Sequence, residues 1–383
     1  MDHSSINASE SWISHMSNKV KSGGGINLAQ GIPGFRPPAE LLQILSGISH
    51  NDIHQYPPGN GYPELVKQIC RSYSPVADIQ PGEVLVVQGA TEGISLAYTY
   101  MINIYGKRWS ALAFDPVYES YGQLPAIFHN KLVRIPQGQS GSIDRNMVEK
   151  KVRAENVKLV FVNSPGNPFG RVWSEEDFDW IFGLAEKFDF RILLDAVYKD
   201  LYFGEDEPHT PISGNKDRIF YVNSFSKMLS ITGWRIGYLI AGSRDMANIR
   251  AIHDYIGLCA PSVLQYAISE YLSVSDYGSD YTGQIRDKLS DNYSLAKTEL
   301  EKSGFYVEPA GGGYFVWCRL PSGAGNGVDF AIKLYDNQKV GIVPGIHFSG
   351  EAGFYVRINI AREKEELVEG LSRIRQFAIG QGA

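Results

Sequence analysis

Short apolar runs punctuate the first two thirds of the chain: EVLVVQ (83–88), SALAFD (110–115), KLVFV (158–162), RILLDA (191–196), RIFYVN (218–223) and YLIAG (238–242). Their apolar character is continuous rather than alternating. That predicts strands buried on both faces, as in a mostly parallel sheet. Helical periodicities lie between several of them. In SEEDFDWIFGLAEKF (174–188), Phe178, Ile181 and Phe182 share one face, and Ser174 and Asp177 have capping-box spacing ahead of them. Alternating strands and helices predict an α/β layer architecture.

The pattern changes after about residue 265. QYAISEYL (265–272) and IRDKLSDNYSLAKTELEKSG (285–304) read as amphipathic helices, YFVWCRL (314–320) and FYVRINIA (354–361) as strands, and REKEELVEGLSRIRQF (362–377) as a charged terminal helix. The Gly- and Pro-rich stretch SGGGINLAQGIPGFRPP (22–38) predicts an extended segment packed with this C-terminal part. The expected organisation is a large α/β domain over 36–265 and a smaller α+β domain from 1–35 and 266–383.

Composition narrows the function classes. Of 383 residues, 43% are hydrophobic and 20% charged, ordinary values for a globular enzyme, and the net charge of −6 argues against a nucleic-acid-binding surface. Three dispersed cysteines, Cys70, Cys259 and Cys318, suit neither a disulfide framework nor a thiolate metal site, and the eight histidines show no metal-binding spacing. No metal is expected. The N-terminus lacks the basic start and apolar core of a secretory signal, and no run approaches a membrane span, so a cytoplasmic protein without membrane contact is expected.

In an open α/β sheet, ligands bind beyond the carboxyl ends of the strands. Several polar groups follow separate predicted strands and could be gathered there. The strand-to-helix turn QGATEGI (88–94) offers backbone N–H groups that can hold a phosphate, although taken alone it reads better as a plain turn. Asp195 ends an apolar run; it is either a helix cap or a buried carboxylate in need of a cation. Asn167 fits a turn, and Tyr118 and Tyr198 fit packing. Lys227 is more informative, because apolar and hydroxyl-bearing residues surround it and the next cation is Arg235. An amine in a partly desolvated, cationic neighbourhood has a lowered pKa and forms Schiff bases. Ser224 and Arg235 look like phosphate ligands, one a donor and one a charge. An amine, a phosphate site and a buried carboxylate together fit pyridoxal 5'-phosphate.

The stretch SFSKMLSITGWRIG (224–237) resembles the S-x-S-K and T-G-x-R-x-G patterns of the fold-type I pyridoxal-phosphate enzymes, specifically the class I/II aminotransferases. NLAQGIPGF, YPPGNGYPEL, QGATEGI, DPVYESY, NSPGNPFG, DAVY and FYVRINIA occur in that family's order, over about residues 26–361. The resemblance implies a mostly parallel, mixed seven-stranded sheet. It also implies a ping-pong transamination in which Lys227 forms the cofactor aldimine and shuttles the substrate proton. By the same resemblance Asp195 pairs with the pyridine nitrogen, Tyr198 and Asn167 hydrogen-bond the ring's phenolic oxygen, and Tyr118 stacks on the ring. Ala90, Thr91, Ser224 and Arg235 hold the phosphate, and Tyr56 reaches the phosphate of a neighbouring subunit in a homodimer. Arg357 clamps the substrate α-carboxylate, and Gly31 brings backbone close to the substrate. Read without the family, Arg357 would be a surface arginine on a strand.

Three residues depart from the family pattern. Ser164 and Phe169 stand within NSPGNPFG where Pro and Thr or Ser are common, and Gly34 stands where many relatives carry an acid. All bear on the substrate entrance, so the amino acid and oxo acid are left open. A β-eliminating C–S lyase on the same scaffold is the alternative reading. A cofactor-sensing regulator ranks behind both.

Overall fold

The computed structural model describes residues 11–380. Seven strands form the large sheet: β1 (Val84–Val87), β2 (Ser110–Asp115), β3 (Lys131–Pro136), β4 (Val157–Asn163), β5 (Arg191–Asp195), β6 (Ile219–Ser224) and β7 (Gly237–Ile240). Their spatial order is β1-β7-β6-β5-β4-β2-β3. Only β7 runs antiparallel to its neighbours, so the sheet is mixed.

Both faces of this sheet are covered, which explains the unbroken apolar runs. Val84, Val86, Val160 and Val162 point into one core cluster, whereas Leu85, Val87, Leu159 and Phe161 point into another on the opposite face. Six strands match the apolar runs. The seventh, β3, has no such run because one of its faces is open to solvent: Val133 and Ile135 are buried while Lys131, Arg134 and Pro136 are exposed. The box at Ser174 forms as expected, with Asp177 N donating to Ser174 Oγ and Ser174 N to Asp177 Oδ2, each at 3.2 Å.

A second, antiparallel sheet contains β8 (Tyr306–Val307), β9 (Phe315–Arg319), β10 (Val343–Pro344) and β11 (Tyr355–Asn359), ordered β10-β11-β9-β8. Its core includes Val316, Val356 and Ile358, together with Leu28 and Ala29 from the N-terminal segment. That segment is extended from Ile26, where Ile26–Asn27 pairs in parallel with Val340–Gly341. Just before it lies a helix, Trp12–Gly23, that no periodicity announced. The helix Ser262–Val274 gives Ala267, Ile268, Tyr271 and Leu272 to the first core, so that core continues past residue 265. A smaller cluster, including Tyr198, Tyr314 and Phe315, joins the two parts directly beneath the carboxyl edge of the large sheet. Among the described residues no helix is long and apolar enough to cross a membrane.

Candidate functional site

At the carboxyl edge of the large sheet lies a cavity of about 480 Å³. Strands β1, β2, β4, β5 and β6 end there. Because β7 runs the other way, its start brings Arg235 to the same edge. The second part of the fold supplies Arg357 from β11, and the N-terminal segment supplies Gly31. All the site residues named from sequence line this cavity except Tyr56. Tyr56 is 81% exposed on a neighbouring surface, where it faces a separate hollow with Gln88 and Cys259.

Lys227 sits in the four-residue helix Phe225–Met228 that follows β6 without a loop. Its Nζ donates to Gly31 O at 2.5 Å and lies 5.8 Å from the Tyr198 ring and 5.5 Å from the Tyr314 ring. Burial pushes this amine down to about 8, and Arg357 and Arg235 add to the shift while Asp195 opposes it. The sign sets an observable. The folded pKa lies below the ordinary 10.5, so the neutral, nucleophilic amine dominates above about pH 8. Uptake of pyridoxal phosphate by cofactor-free protein should accelerate about tenfold per pH unit below that point and level off above it. Stopped-flow absorbance from pH 6 to 10 measures this, and a rate independent of pH over that range would contradict the desolvated amine. The cofactor-free fold should also gain stability between about 8 and 10.5, where the unfolded chain holds the extra proton.

Asp195, at the end of β5, is 4% exposed. Tyr121 Oη donates to its Oδ2 at 2.7 Å and Val197 N to its Oδ1 at 3.2 Å. Burial raises its pKa, although Tyr121, Val197 N and the Lys227 charge pull it back. No basic side chain among the described residues forms an ion pair with it. A buried carboxylate so placed is costly unless a cation arrives.

Arg235 donates from Nη1 to Thr232 O at 3.1 Å and from Nη2 to Gln88 O at 3.3 Å. Beside it begins the helix Ala90–Tyr105, whose first turn has no side-chain cap. Gly89, at φ 79°, permits this approach, since a Cβ there would lie 2.3 Å from Arg235 Nη2. Ser224 Oγ completes the corner; it lies 2.8 Å from Ser226 Oγ and accepts from Ser226 N at 3.1 Å. An uncapped helix start, a guanidinium and hydroxyls form an anion site.

Arg357 is 1% exposed. Its guanidinium lies between two rings, 3.9 Å from the Phe315 centroid and 4.8 Å from that of Phe348. Nη1 donates to Asn167 Oδ1 at 2.9 Å and Nη2 to Ala29 O at 2.6 Å, while Nε has no partner among the described residues. Asn167 is fixed in turn through its N–H, which donates to Asn163 Oδ1 at 2.6 Å.

The groups fit pyridoxal 5'-phosphate on their own chemistry: a depressed amine for its aldehyde, a buried unpaired carboxylate for its ring nitrogen, and an anion corner for its phosphate. Sequence reasoning passed over Tyr121, Ser226, Tyr314 and Glu119. Tyr121 carried one signal, its position one helical turn after Tyr118. Tyr314, whose hydroxyl donates to Lys227 O at 2.8 Å, carried none. Of the departures from the family pattern, Ser164 Oγ accepts from Trp173 N at 3.0 Å, Phe169 packs into the second core, and Gly34 N donates to Ala361 O at 2.7 Å. Among the described residues no cluster of three or more His, Cys, Asp or Glu could hold a metal.

The family model of aminotransferase class I and II matches residues 24–374. The chain is 30% identical to an aspartate aminotransferase of Thermotoga maritima over 92% of this chain and 91% of that one. It is 26% identical to an aspartate aminotransferase of Pyrococcus horikoshii, over 93% and 91% respectively. The solved N-succinyldiaminopimelate aminotransferase of Mycobacterium tuberculosis superposes with a TM-score of 0.88 at 25% identity, covering 96% of this chain and 97% of that one.

Proposed function

Because the chain belongs to the class I and II aminotransferases, which use pyridoxal phosphate, we propose that it moves an amino group from an L-amino acid to a 2-oxo acid in two half-reactions at this one cavity. The observation that carries the reading is the Lys227 amine, desolvated and without a carboxylate partner, between the cationic groups of Arg357 and Arg235.

When bound, pyridoxal phosphate supplies an electron sink for the charge left on the substrate Cα as its proton departs. The chain's residues divide the remaining work. Arg235, Ser224 and the first-turn N–H groups of Ala90 and Thr91 hold the phosphate. Asp195, held by Tyr121, would supply a negative charge to the ring nitrogen and favour its protonated form. Tyr118 would pack on the ring, and Tyr198 and Asn167 would donate to its oxygen. Lys227 Nζ would take up and hand on the proton that leaves the substrate Cα, and an amine that is largely neutral near pH 8 is suited to that transfer. Arg357 binds the α-carboxylate through a guanidinium plane fixed by Phe315 and Phe348, and so sets Cα against Lys227. Gly31, whose carbonyl holds Nζ, forms the wall facing the substrate.

We further propose a homodimer in which Tyr56 reaches the partner subunit's phosphate site. The exposed apolar neighbours Tyr255 and Ile256 support this. The two parts would be a large domain of about 36–265 and a small one from the two ends, with the helix Ser262–Val274 packed on the large part. A cytoplasmic setting agrees with three unpaired cysteines.

The test is an amino-donor screen of the holoenzyme with pyruvate and 2-oxoglutarate as acceptors, following the cofactor's visible spectrum. Release of pyruvate from cystathionine without any acceptor would instead mark an eliminating lyase. A sharper check is Arg357→Lys. It keeps the charge but loses the planar fork, so KM for amino acids should rise roughly ten- to a hundredfold with a smaller change in kcat. An unchanged KM would remove Arg357 from carboxylate binding.

A further inference from the structure

Among the described residues, five ionisable side chains other than tyrosine line the cavity: Glu119, Asp195, Lys227, Arg235 and Arg357. The proposed reaction uses four of them, and Glu119 is left over. It is the first residue of the helix Glu119–Ile127, directly after Tyr118. Its Oε2 lies 3.1 Å from His347 Nε2, and its side chain is 32% exposed against 8% for His347. The His347 ring stands edge-on to Phe348 at 4.7 Å, and Phe348 stacks on Arg357. A buried imidazole therefore stands in close contact behind the carboxylate, without an aligned hydrogen bond among the described residues, next to the Phe348 ring that supports Arg357. Its pKa is lowered, first by His347 and in smaller part by Ser11 and Arg357, against the opposing effect of burial, so it is ionised at neutral pH. Ile13 and Ile32 line the same cavity and add no charge.

Resting on the aminotransferase reading, we propose that Glu119, backed by His347, determines side-chain specificity: it selects amino acids whose side chain presents N–H donors and disfavours those with a second carboxylate. Arg357 fixes the α-carboxylate and Lys227 the Cα, so the substrate's side chain must point along the remaining wall. A distal carboxylate meets like charge there and finds no free cation among the described lining residues. An amide or ammonium group meets an acceptor backed by His347. The chain would thus differ in substrate from relatives named for aspartate.

Glutamine and glutamate are nearly isosteric and differ in distal charge, which makes them the discriminating pair. With the holoenzyme and pyruvate as acceptor, kcat/KM for glutamine should exceed that for glutamate about tenfold or more. In Glu119→Gln that ratio should move toward glutamate by about ten- to a hundredfold; a general loss of activity would lower both and leave the ratio in place. Binding gives a readout apart from turnover. α-Methylglutamate, which has no Cα proton to lose, should bind Glu119→Gln more tightly than the wild type by a similar factor, measured by spectral titration. His347→Gln, which removes the imidazole, should shift the ratio in the same direction by less. A wild-type preference for glutamate, or a ratio and a Kd unmoved by Glu119→Gln, overturns the proposal while leaving the transaminase intact. If neither amino acid is turned over, the α-methylglutamate Kd decides alone. If no amino donor changes the cofactor spectrum, it is the aminotransferase reading that has failed.

Discussion

Lys227→Ala should lower amino transfer by on the order of 10⁴-fold or more while leaving the fold intact. The amine has no ion-pair partner; its hydrogen bond is to Gly31 O, and its pKa is already depressed to about 8. Removing it costs the fold little, so thermal unfolding of the cofactor-free protein should shift by no more than a few degrees, in either direction. The chemistry is affected differently. Two tasks fall on this one nitrogen, covalent attachment of the cofactor and proton transfer at Cα, and no other amine among the described residues lines the cavity. Cofactor should still bind through Asp195 and Arg235, but with the spectrum of the free aldehyde. Single-turnover absorbance with an excess of amino acid measures the loss. A variant within tenfold of the wild type would remove Lys227 from the mechanism.

Asp195→Asn should have the next largest effect, a fall of roughly 10²- to 10³-fold in kcat/KM. The substitution preserves shape: Val197 N can still donate to the amide oxygen, while Tyr121 Oη turns its hydrogen away and accepts from the new amide N–H. What disappears is the negative charge. In the wild type that charge is costly before the cofactor arrives, because burial acts on it and no basic side chain pairs with it. A protonated ring nitrogen relieves this cost, and the carboxylate in turn keeps the ring cationic. With an amide there, the nitrogen loses its reason to hold a proton and the electron sink weakens. Weaker cofactor binding should accompany the slower rate. A rate loss without a change in the cofactor's absorption spectrum would mean that Asp195 acts elsewhere.

The parts of the protein legible in the sequence are those set by local pattern. Continuous apolar runs marked the six strands that are covered on both faces, and the Ser174–Asp177 box marked its helix start. The strand Lys131–Pro136 escaped because one of its faces is open to solvent, and a pair of buried positions within six residues is a weak signal. The helix Trp12–Gly23 escaped for a related reason: its start has no side-chain cap, and few of its residues are buried. Lys227, Ser224 and Arg235 were legible because they lie in one short segment with distinctive neighbours. Asp195, Asn167 and Arg357 remained ambiguous on their own residues, since a cap, a turn and a surface strand use the same residue types. The resemblance to a family assigned them roles, and their burial and partners support those roles.

By itself, the sequence determined the layered α/β class and the family, because strand burial, helix capping and short motifs depend on neighbours along the chain. Tertiary structure alone decided what meets across it. The reversal of β7 brings Arg235 to the edge where the other strands end. The second core presents Arg357 between two rings, and Tyr121 reaches back to hold Asp195. The contact between Glu119 and His347 belongs to the same class. Neither residue carries a local mark of function, and only the packing of the turn Gly345–His347 against the start of a distant helix puts a buried imidazole behind a carboxylate that lines the cavity.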